Sequence, residues 1–589
     1  MKPLWAVLHL AVIGMLVAVA CGGAEPTATP PPTNTPQPTA TATKAPTATA
    51  PAGQPTNPPV ATATPAPTAT TTRVPATATA TQVKPKRGGL LRTEMTRNID
   101  ARLDLHAVRS STTWPLMAPQ LNWVVQMQQR KGVIEPDLAQ SWTVSSDGIT
   151  YTFKLTPNAK WQDGRPVTSD DIIYTFDRIR GKLDLAAPVY QATLNSVDSY
   201  TKIDDTTLQV KLKGISGTFL SNLTIIGNMV YPKHVPMSQF ADNKPVGSGP
   251  FIWVSYQPDV QVDLKRDPNF WRRDEFGDPA PYLDGVRVFI IPDDSARRSA
   301  FVTGQLDVSL PHLSPFAGQR KAVEQKVPGV RWGDFFSPTA MILRSVPPYT
   351  DQRLRSALHL VLDRQAAAQV RSPGEALDLI AYSLAGGPWA ISPQEFKTLP
   401  GYRQPKDQDQ AQAKQLLDAA LKDIGLTVDT WKPTANIQTQ FLDQSSIALD
   451  QWKRVLGITV KVIPEDRPTS IQTQFNGTFQ MIGLGTTTAL DDPSQNLDPF
   501  VRCGSALNYG RFCDPAVDAA LDEIERTLDP AKRHQLSLTL EKKLLDLAWN
   551  VFIVGDPRPQ AVRPEVRNYA PLHAQDNQPN RFELVWLDK

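Results

Sequence analysis

Three groups of residues in this chain have types and spacings that could do chemistry. The first is the stretch "RCGSALNYGRFC", which carries Cys503 and Cys513. Two thiols at this spacing either pair or stay buried as free thiols, and no His or acidic partner at zinc-like spacing surrounds them. The second is Asp170 and Asp171 in "WQDGRPVTSDDIIYTFDRI". Adjacent carboxylates suggest acid/base work, but Thr168 is placed to cap a helix and Asp171 to sit near its positive end, so capping accounts for both. The third is "SYTK", Ser199 to Lys202. A serine nucleophile activated by such a lysine needs a helix start and a Lys-Thr-Gly strand. This tetrapeptide lies between strand-like segments, and no Lys-Thr-Gly occurs. There is no Gly-x-Ser-x-Gly elbow, and "GLGTTT" lacks the third glycine of a phosphate loop. The chain has seven histidines, none paired at ligand spacing, and the lone His106 in a loop reads as solvated. The expectation is a protein that is not an enzyme, with no catalytic residues, no metal and no cofactor.

The elements around these residues mix strands and helices. "GITYTFKL" alternates Ile149, Tyr151, Phe153 and Leu155 against Thr150, Thr152 and Lys154, a half-buried strand. "TLQVKLKG" and "VQVDLKRD" alternate similarly. Asp163-Gly164 marks a turn, and Ile172, Ile173, Phe176 and Ile179 form the buried stripe of the helix that follows. "TDQRLRSALHLVLDRQAAAQV" reads as one helix capped by Thr350, with Leu354, Ala357, Leu358, Val361 and Leu362 on its stripe. "DPAVDAALDEIERTL" starts at Asp514 with Pro515 at its first position and buries Val517, Leu521, Ile524 and Leu528. "DPAKRHQLSLTLEKKLLDLAW" repeats the Asp-Pro start. No short internal repeat is present. About 500 residues follow position 87, enough for two or three domains. With 61 basic and 58 acidic residues, the balance implies no nucleic-acid partner.

The N-terminal segment fixes the compartment. Lys2 precedes an uncharged, mostly apolar run over 4–20, too short for a typical span and typical of an export signal. Small residues, Ala18 and Ala20, lead to Cys21. This resembles a bacterial lipoprotein signal, which implies a lipidated Cys21 anchoring the chain to the outer face of the cell membrane. From 22 to 87 the sequence is Pro, Thr and Ala, too poor in large apolar side chains to fold. It reads as a disordered tether reaching at most about 190 Å if stiff and roughly 45 Å if coil-like. With Cys21 lipidated in an oxidising compartment, Cys503 and Cys513 are expected to pair as a disulfide.

The body carries an ordered set of motifs. "PDLAQSWTVSSDGITYTFKLTPNAKWQDGRPVTSDDIIYTFDRIRG" resembles the signature region of the extracytoplasmic solute-binding proteins, family 5, of ABC importers, the oligopeptide, dipeptide and nickel type. "VGSGPFIWVSYQPDVQVDLKRDPNFWRRD", "PYLDGVRVFIIPDDSARRSAFVTGQLDVSL", "PPYTDQRLRSALHLVLDRQ", "DDPSQNLDPF" and "DPAVDAALDEIERTLDPAKRHQL" follow in that family's order, covering about 88–571. The resemblance implies an α/β fold, a periplasmic-binding-protein-like two-lobe clamp (type II, cluster C-like) with an additional small domain. After the signal (1–21) and tether (22–87), the first lobe would take 88–120, 215–345 and 541–589. The small domain would take 121–214, and the second lobe 346–540. Ligand would be enclosed between lobes that rotate about hinge strands. Cleft candidates are Ser111, Thr112 and Trp114 on the first lobe, and Trp389, Thr486, Thr487, Ala489, Asp491, Asn508 and Tyr509 on the second. In this family an Asp four residues before the loop proline holds a peptide's ammonium. Ala489 stands there, so Asp491 or Asp492 would substitute or, alternatively, cap the turn before Pro493. Trp161 and Trp271 fall in framework motifs and read as core. The implied partners are a small-molecule or peptide ligand, an ABC permease, and the membrane through the lipid anchor, with the receptor itself a monomer. Alternatives are a ligand-presenting receptor for a sensor and an oligosaccharide binder.

Overall fold

The computed structural model describes residues 84–589, apart from 100–102, 108–111, 129–132, 186–187, 243, 311–315, 317, 372–379, 384–386, 487–491 and 570–580. Cys21 and the tether as far as residue 83, with Ser111, Thr487, Ala489 and Asp491, lie outside the described residues, whereas the last tether residues are held to the body by ion pairs of Lys84 with Asp278 and Lys86 with Asp588. Among the described residues no helix is long and apolar enough to cross a membrane.

Alternation builds the first two sheets. Tyr151, Phe153 and Leu155 point inward along Thr150–Leu155, and Leu208, Val210 and Leu212 do so along Thr207–Leu212. These strands pair antiparallel, flanked by Ala139–Val144 and Val197–Asp204. The helix Ser169–Ile179 packs Ile172, Phe176 and Ile179 beneath them. Asp171 closes its N-terminus by accepting from the Thr168 backbone N–H at 2.9 Å. "SYTK" lies within the outer strand Val197–Asp204, where Lys202 is ion-paired with Asp170 and Asp205 and so is held as a surface charge. The core of this unit draws on residues from Leu103 to Phe240, wider than the 121–214 expected. The segments on either side of that range are drawn in because Leu103, Trp114, Phe219 and Tyr231 bury their side chains there.

The second sheet system has the order Leu90–Met95, Gly285–Ile290, Gln261–Arg266, Phe251–Gln257, with only the first pair parallel. The third is a five-stranded sheet ordered Lys461–Glu465, Thr434–Gln438, Met481–Gly485, Arg331–Leu343, Asn550–Val562. Its first three strands are parallel and separated in sequence by the helices Leu442–Leu456 and Arg467–Asn476. Each helix stops at a glycine in left-handed backbone, Gly457 (φ 75°) and Gly477 (φ 66°), a conformation glycine adopts without strain.

Two strands join the cores. Arg331–Leu343 and Asn550–Val562 pair antiparallel from Arg331↔Val562 to Ile342↔Asn550, with a bulge at Thr339/Ala340. At one end Val562 packs in the core of the second sheet system, and Ala561 in the adjoining cluster around Phe301 and Phe316. At the other, Ala340, Met341, Leu343 and Val551 to Val554 belong to the core around the five-stranded sheet. The change of core falls near Pro338 and Gly555, which face each other in the register. The expected boundary near 541 therefore falls inside the helix Pro530–Leu547, whose Leu544 and Leu545 pack with the second lobe.

The expected single helix over 350–370 is two, Gln352–Leu360 and Arg364–Arg371. Asp351, rather than Thr350, caps the first by accepting from Arg353 N–H at 2.8 Å. Asp363 starts the second by accepting from Ala366 N–H at 3.0 Å, and Arg364 turns inward to the carbonyls of Phe552, His359 and Gly401. A buried guanidinium needs those acceptors, and the chain bends to reach them.

Candidate functional site

The end of the five-stranded sheet nearest the crossing point gathers several of the expected residues. Thr486 follows Met481–Gly485 and donates its N–H to Pro338 O at 2.9 Å. With Tyr382, Asn496, Phe552 and Pro338 it lines a small cavity. Asp492 starts the short helix Pro493–Asn496, accepting from Ser494 N–H at 3.0 Å. It is also held by Arg533, whose two terminal nitrogens donate to its two oxygens at 2.8 and 2.7 Å. Both side chains are buried, Asp492 at 1% and Arg533 at 5% exposure, and both Asp492 oxygens are engaged by Arg533. Burial alone would raise the Asp492 carboxyl, but the Arg533 charge and the hydrogen bonds outweigh it and hold it below its ordinary range. The half-buried Trp389 covers the pair from above, its ring 4.9 Å from the Arg533 guanidinium carbon and edge-on to His534 at 5.6 Å. Trp389, Thr486 and Asp492 thus meet at one edge, with the first turn of the helix Pro530–Leu547.

Asn508 and Tyr509 do not join them. Gly510 O accepts from Ser345 N–H at 2.7 Å, beyond the far end of Arg331–Leu343. At about 3.3 Å per residue, Pro338 and Ser345 are separated by roughly 20 Å of strand. Asn508 is buried, and its amide donates to the carbonyls of Arg502 and Phe512 at 3.1 and 2.8 Å, clipping its own loop. The same loop is closed by the Cys503–Cys513 disulfide, with Cα atoms 4.8 Å apart. Tyr509 packs edge-on to Phe475 beside the Ile342, Ile482 and Leu484 cluster.

On the small-domain side, Thr112 is buried, and Trp114 is in the core at 7% exposure. His106 is not solvated. It is wholly buried, with Nδ1 2.9 Å from Arg178 and Nε2 3.4 Å from Met229 O. Arg178 in turn makes a two-pronged ion pair with Asp104. Burial, reinforced by the Arg178 charge, pushes the His106 ring down to about 3, so the imidazole is neutral at ordinary pH. Trp161 is core, whereas Trp271 is half-buried, donating to Ser248 O at 3.1 Å under the Arg272 guanidinium. Among the described residues no group of three or more His, Cys, Asp or Glu is placed to hold a metal ion.

The pairs Asp492–Arg533 and Asp104–Arg178 were missed from sequence. Their partners lie 41 and 74 positions apart, and no local spacing encodes such contacts. The only signal is an arginine inside an otherwise apolar-facing helix, Arg178 beside Phe176 and Ile179.

The whole body has known counterparts. The structure of the ABC transporter substrate binding protein CtaP from Listeria monocytogenes superposes with a TM-score of 0.70 at 20% identity, covering 86% of this chain and 100% of that one. The dipeptide-binding protein of Escherichia coli is 24% identical over 78% of this chain and 88% of its own length. Heme-binding protein A of Haemophilus influenzae is 26% identical over 68% and 75%. The model of the bacterial extracellular solute-binding proteins, family 5 (middle), matches residues 133–508. On that match, with the joined sheets and the Trp389-capped edge beside their crossing, this chain belongs to the bacterial extracellular solute-binding proteins of family 5.

Proposed function

We propose that this protein is the substrate-binding component of an ABC import system. It takes up a peptide or similar small solute between its first and second lobes and delivers it to a membrane permease. The observation that carries this reading is the pair of 13-residue strands, Arg331–Leu343 and Asn550–Val562, that runs unbroken from one core to the other in a chain of this family. A two-stranded ribbon between separate cores is a natural hinge, because it bends without disturbing either core. Family relatives named for dipeptide binding support the ligand class. The ligand-facing surface of the second lobe is the edge bearing Trp389 and Thr486 together with the loop positions Thr487, Ala489 and Asp491, while Ser111 with Thr112 and Trp114 supplies the opposing loop. Cys21 carries the lipid, the Pro/Thr/Ala tether of 22–87 spaces the receptor from the membrane, and the receptor acts as a monomer without catalysis.

The test is native mass spectrometry of the protein purified from its own host, followed by calorimetry against di- and tripeptides. One ligand per chain is expected, with about 2.7 kcal/mol of added stability at 100 times the dissociation constant. Steady turnover of those peptides with no stable complex would overturn the reading.

A further inference from the structure

Among the described residues, the small-domain core and the second-lobe core meet at a built contact around Glu525. Residues 216–218 follow the strand Thr207–Leu212 and lead into the helix Phe219–Leu223, whose Phe219 stacks edge-on to Tyr151 at 4.8 Å inside the small-domain core. They therefore move with that core. Facing them is the C-terminal end of the second-lobe helix Pro515–Arg526, whose Val517, Leu521 and Ile524 are fixed in the other core.

Glu525 projects from this helix and accepts from both the Ser216 hydroxyl and the Thr218 hydroxyl, the latter at 2.8 Å. Its backbone carbonyl accepts from Gly217 N–H. The approach is so close that a Cβ on Gly217 would stand 2.5 Å from Thr527 O and 3.0 Å from Glu525 O. An apolar contact continues the seam, since a Cβ on Gly148 would lie 3.3 Å from Leu528 and 3.4 Å from Ile215. Leu528, expected on the buried helical stripe, lies past the helix end at 45% exposure and reaches across instead.

We propose that Glu525 and residues 216–218 form a clasp between the small domain and the second lobe, which tightens the receptor's hold on its ligand without touching it. This rests on the importer reading only for its consequence; the clasp itself is independent of any ligand. A contact between the small domain and the second lobe favours the arrangement in which those two units meet, and a ligand that binds that arrangement better gains apparent affinity with its populated fraction. Glu525 is thus a positioning residue for ligand capture. The charged groups around it are Arg533 and Asp492, already paired with each other, and the Tyr151 hydroxyl lies in its field.

Hydrogen exchange read by mass spectrometry on the full-length, ligand-free protein tests this. Gly217→Ala adds one methyl at a residue whose φ is not positive, so each core keeps its fold while the seam is wedged apart. Glu525→Ala removes the acceptor, and Glu525→Gln keeps it. In the Ala variants, exchange is expected to quicken about tenfold on both sides, in peptides covering 145–151, 215–219 and 523–529. Glu525→Gln should stay within about twofold of the parent. The clasp is overturned if Gly217→Ala leaves 523–529 unchanged, or if Glu525→Ala quickens exchange in the helix alone. Absence of peptide binding in calorimetry would sink the importer reading and leave this result standing.

Discussion

Replacing Asp492 with Asn removes one charge from the buried pair beneath Trp389 while keeping the shape. The amide oxygen can still accept from Ser494 N–H, so the helix cap survives. What is lost is the counter-charge of Arg533, a guanidinium exposed by only 5%. Breaking a buried pair from one side typically costs about 3–5 kcal/mol, because the remaining charge stays desolvated and uncompensated. For a lobe of roughly 200 residues that corresponds to a fall in Tm of roughly 6–20 °C. Arg533→Gln should cost a similar amount from the other side. The double variant Asp492→Asn/Arg533→Gln leaves two neutral amides that can bond each other, and should recover to within about 2 kcal/mol of the parent. Scanning calorimetry of the four proteins measures this cycle. The pH dependence adds a second check. Asp492 has a folded pKa below its unfolded value, so its contribution is fully present above the ordinary carboxylate range and disappears as pH falls through the depressed value. The Asn deficit should therefore be constant from pH 5 to 8 and shrink only in stronger acid. Single-variant costs under about 1 kcal/mol, or a double variant as unstable as the sum of the two, would refute the reasoning.

Glu541, wholly buried against Ser383 N–H and hydroxyl, is pushed up to about 7 by burial, against the pull of those hydrogen bonds. Its raised pKa means the fold favours the protonated form, so stability falls as pH rises from the unfolded carboxylate range through 7. Glu541→Gln should be more stable than the parent at pH 8 and not at pH 5, as read by urea unfolding at the two pH values. Cys503→Ser/Cys513→Ser opens a loop with a sequence separation of 10 and should cost about 3 kcal/mol in the same assay, with peptide affinity retained because Asn508 still clips the loop. Loss of peptide binding in that variant would place the loop in the ligand site after all.

The sequence was most legible where one element contains its own explanation. The alternation of Tyr151, Phe153 and Leu155, the box of Thr168 with Asp171, and the two Asp-Pro helix starts at Asp514 and Asp529 all depend on neighbours within a few positions. It was least legible where a side chain is claimed by something distant. Thr350 looked like the cap because it follows two prolines, but the competition between Thr350 and Asp351 is decided by the bend that brings Arg355 to the carbonyls of Tyr349 and Thr350. Asn508 and Tyr509 were expected at the cleft because the resembled family often lines it at those positions. The two short helices that precede their loop, Pro493–Asn496 and Asp498–Val501, carry the chain to the opposite end of the sheet. His106 read as solvated because a lone loop histidine usually is, whereas its cover, Arg178 and Tyr231, arrives from 72 and 125 positions away.

The helix hairpin 515–547 explains why the site and the clasp fall at the same edge. Its first helix has 12 residues, about 18 Å, which returns the chain from the disulfide loop to the crossing end of the sheet. Asp529 then caps the second helix, accepting from Lys532 N–H at 2.7 Å, with Pro530 at its first position. That cap fixes where the turn 527–529 must sit, and the ion pair Lys543–Asp514 at 3.2 Å holds the opposite ends together. With the turn placed, Glu525 and Leu528 can only face the small domain, while Arg533, one turn into the next helix, can only face Asp492. One helix start, written in the sequence as Asp-Pro, therefore sets the height of both the buried pair that carries Trp389 and the contact that reaches across to Gly217. Shifting that start by a residue would rotate Glu525 and Arg533 relative to each other by about 100° of helix, so the two functions cannot be tuned separately.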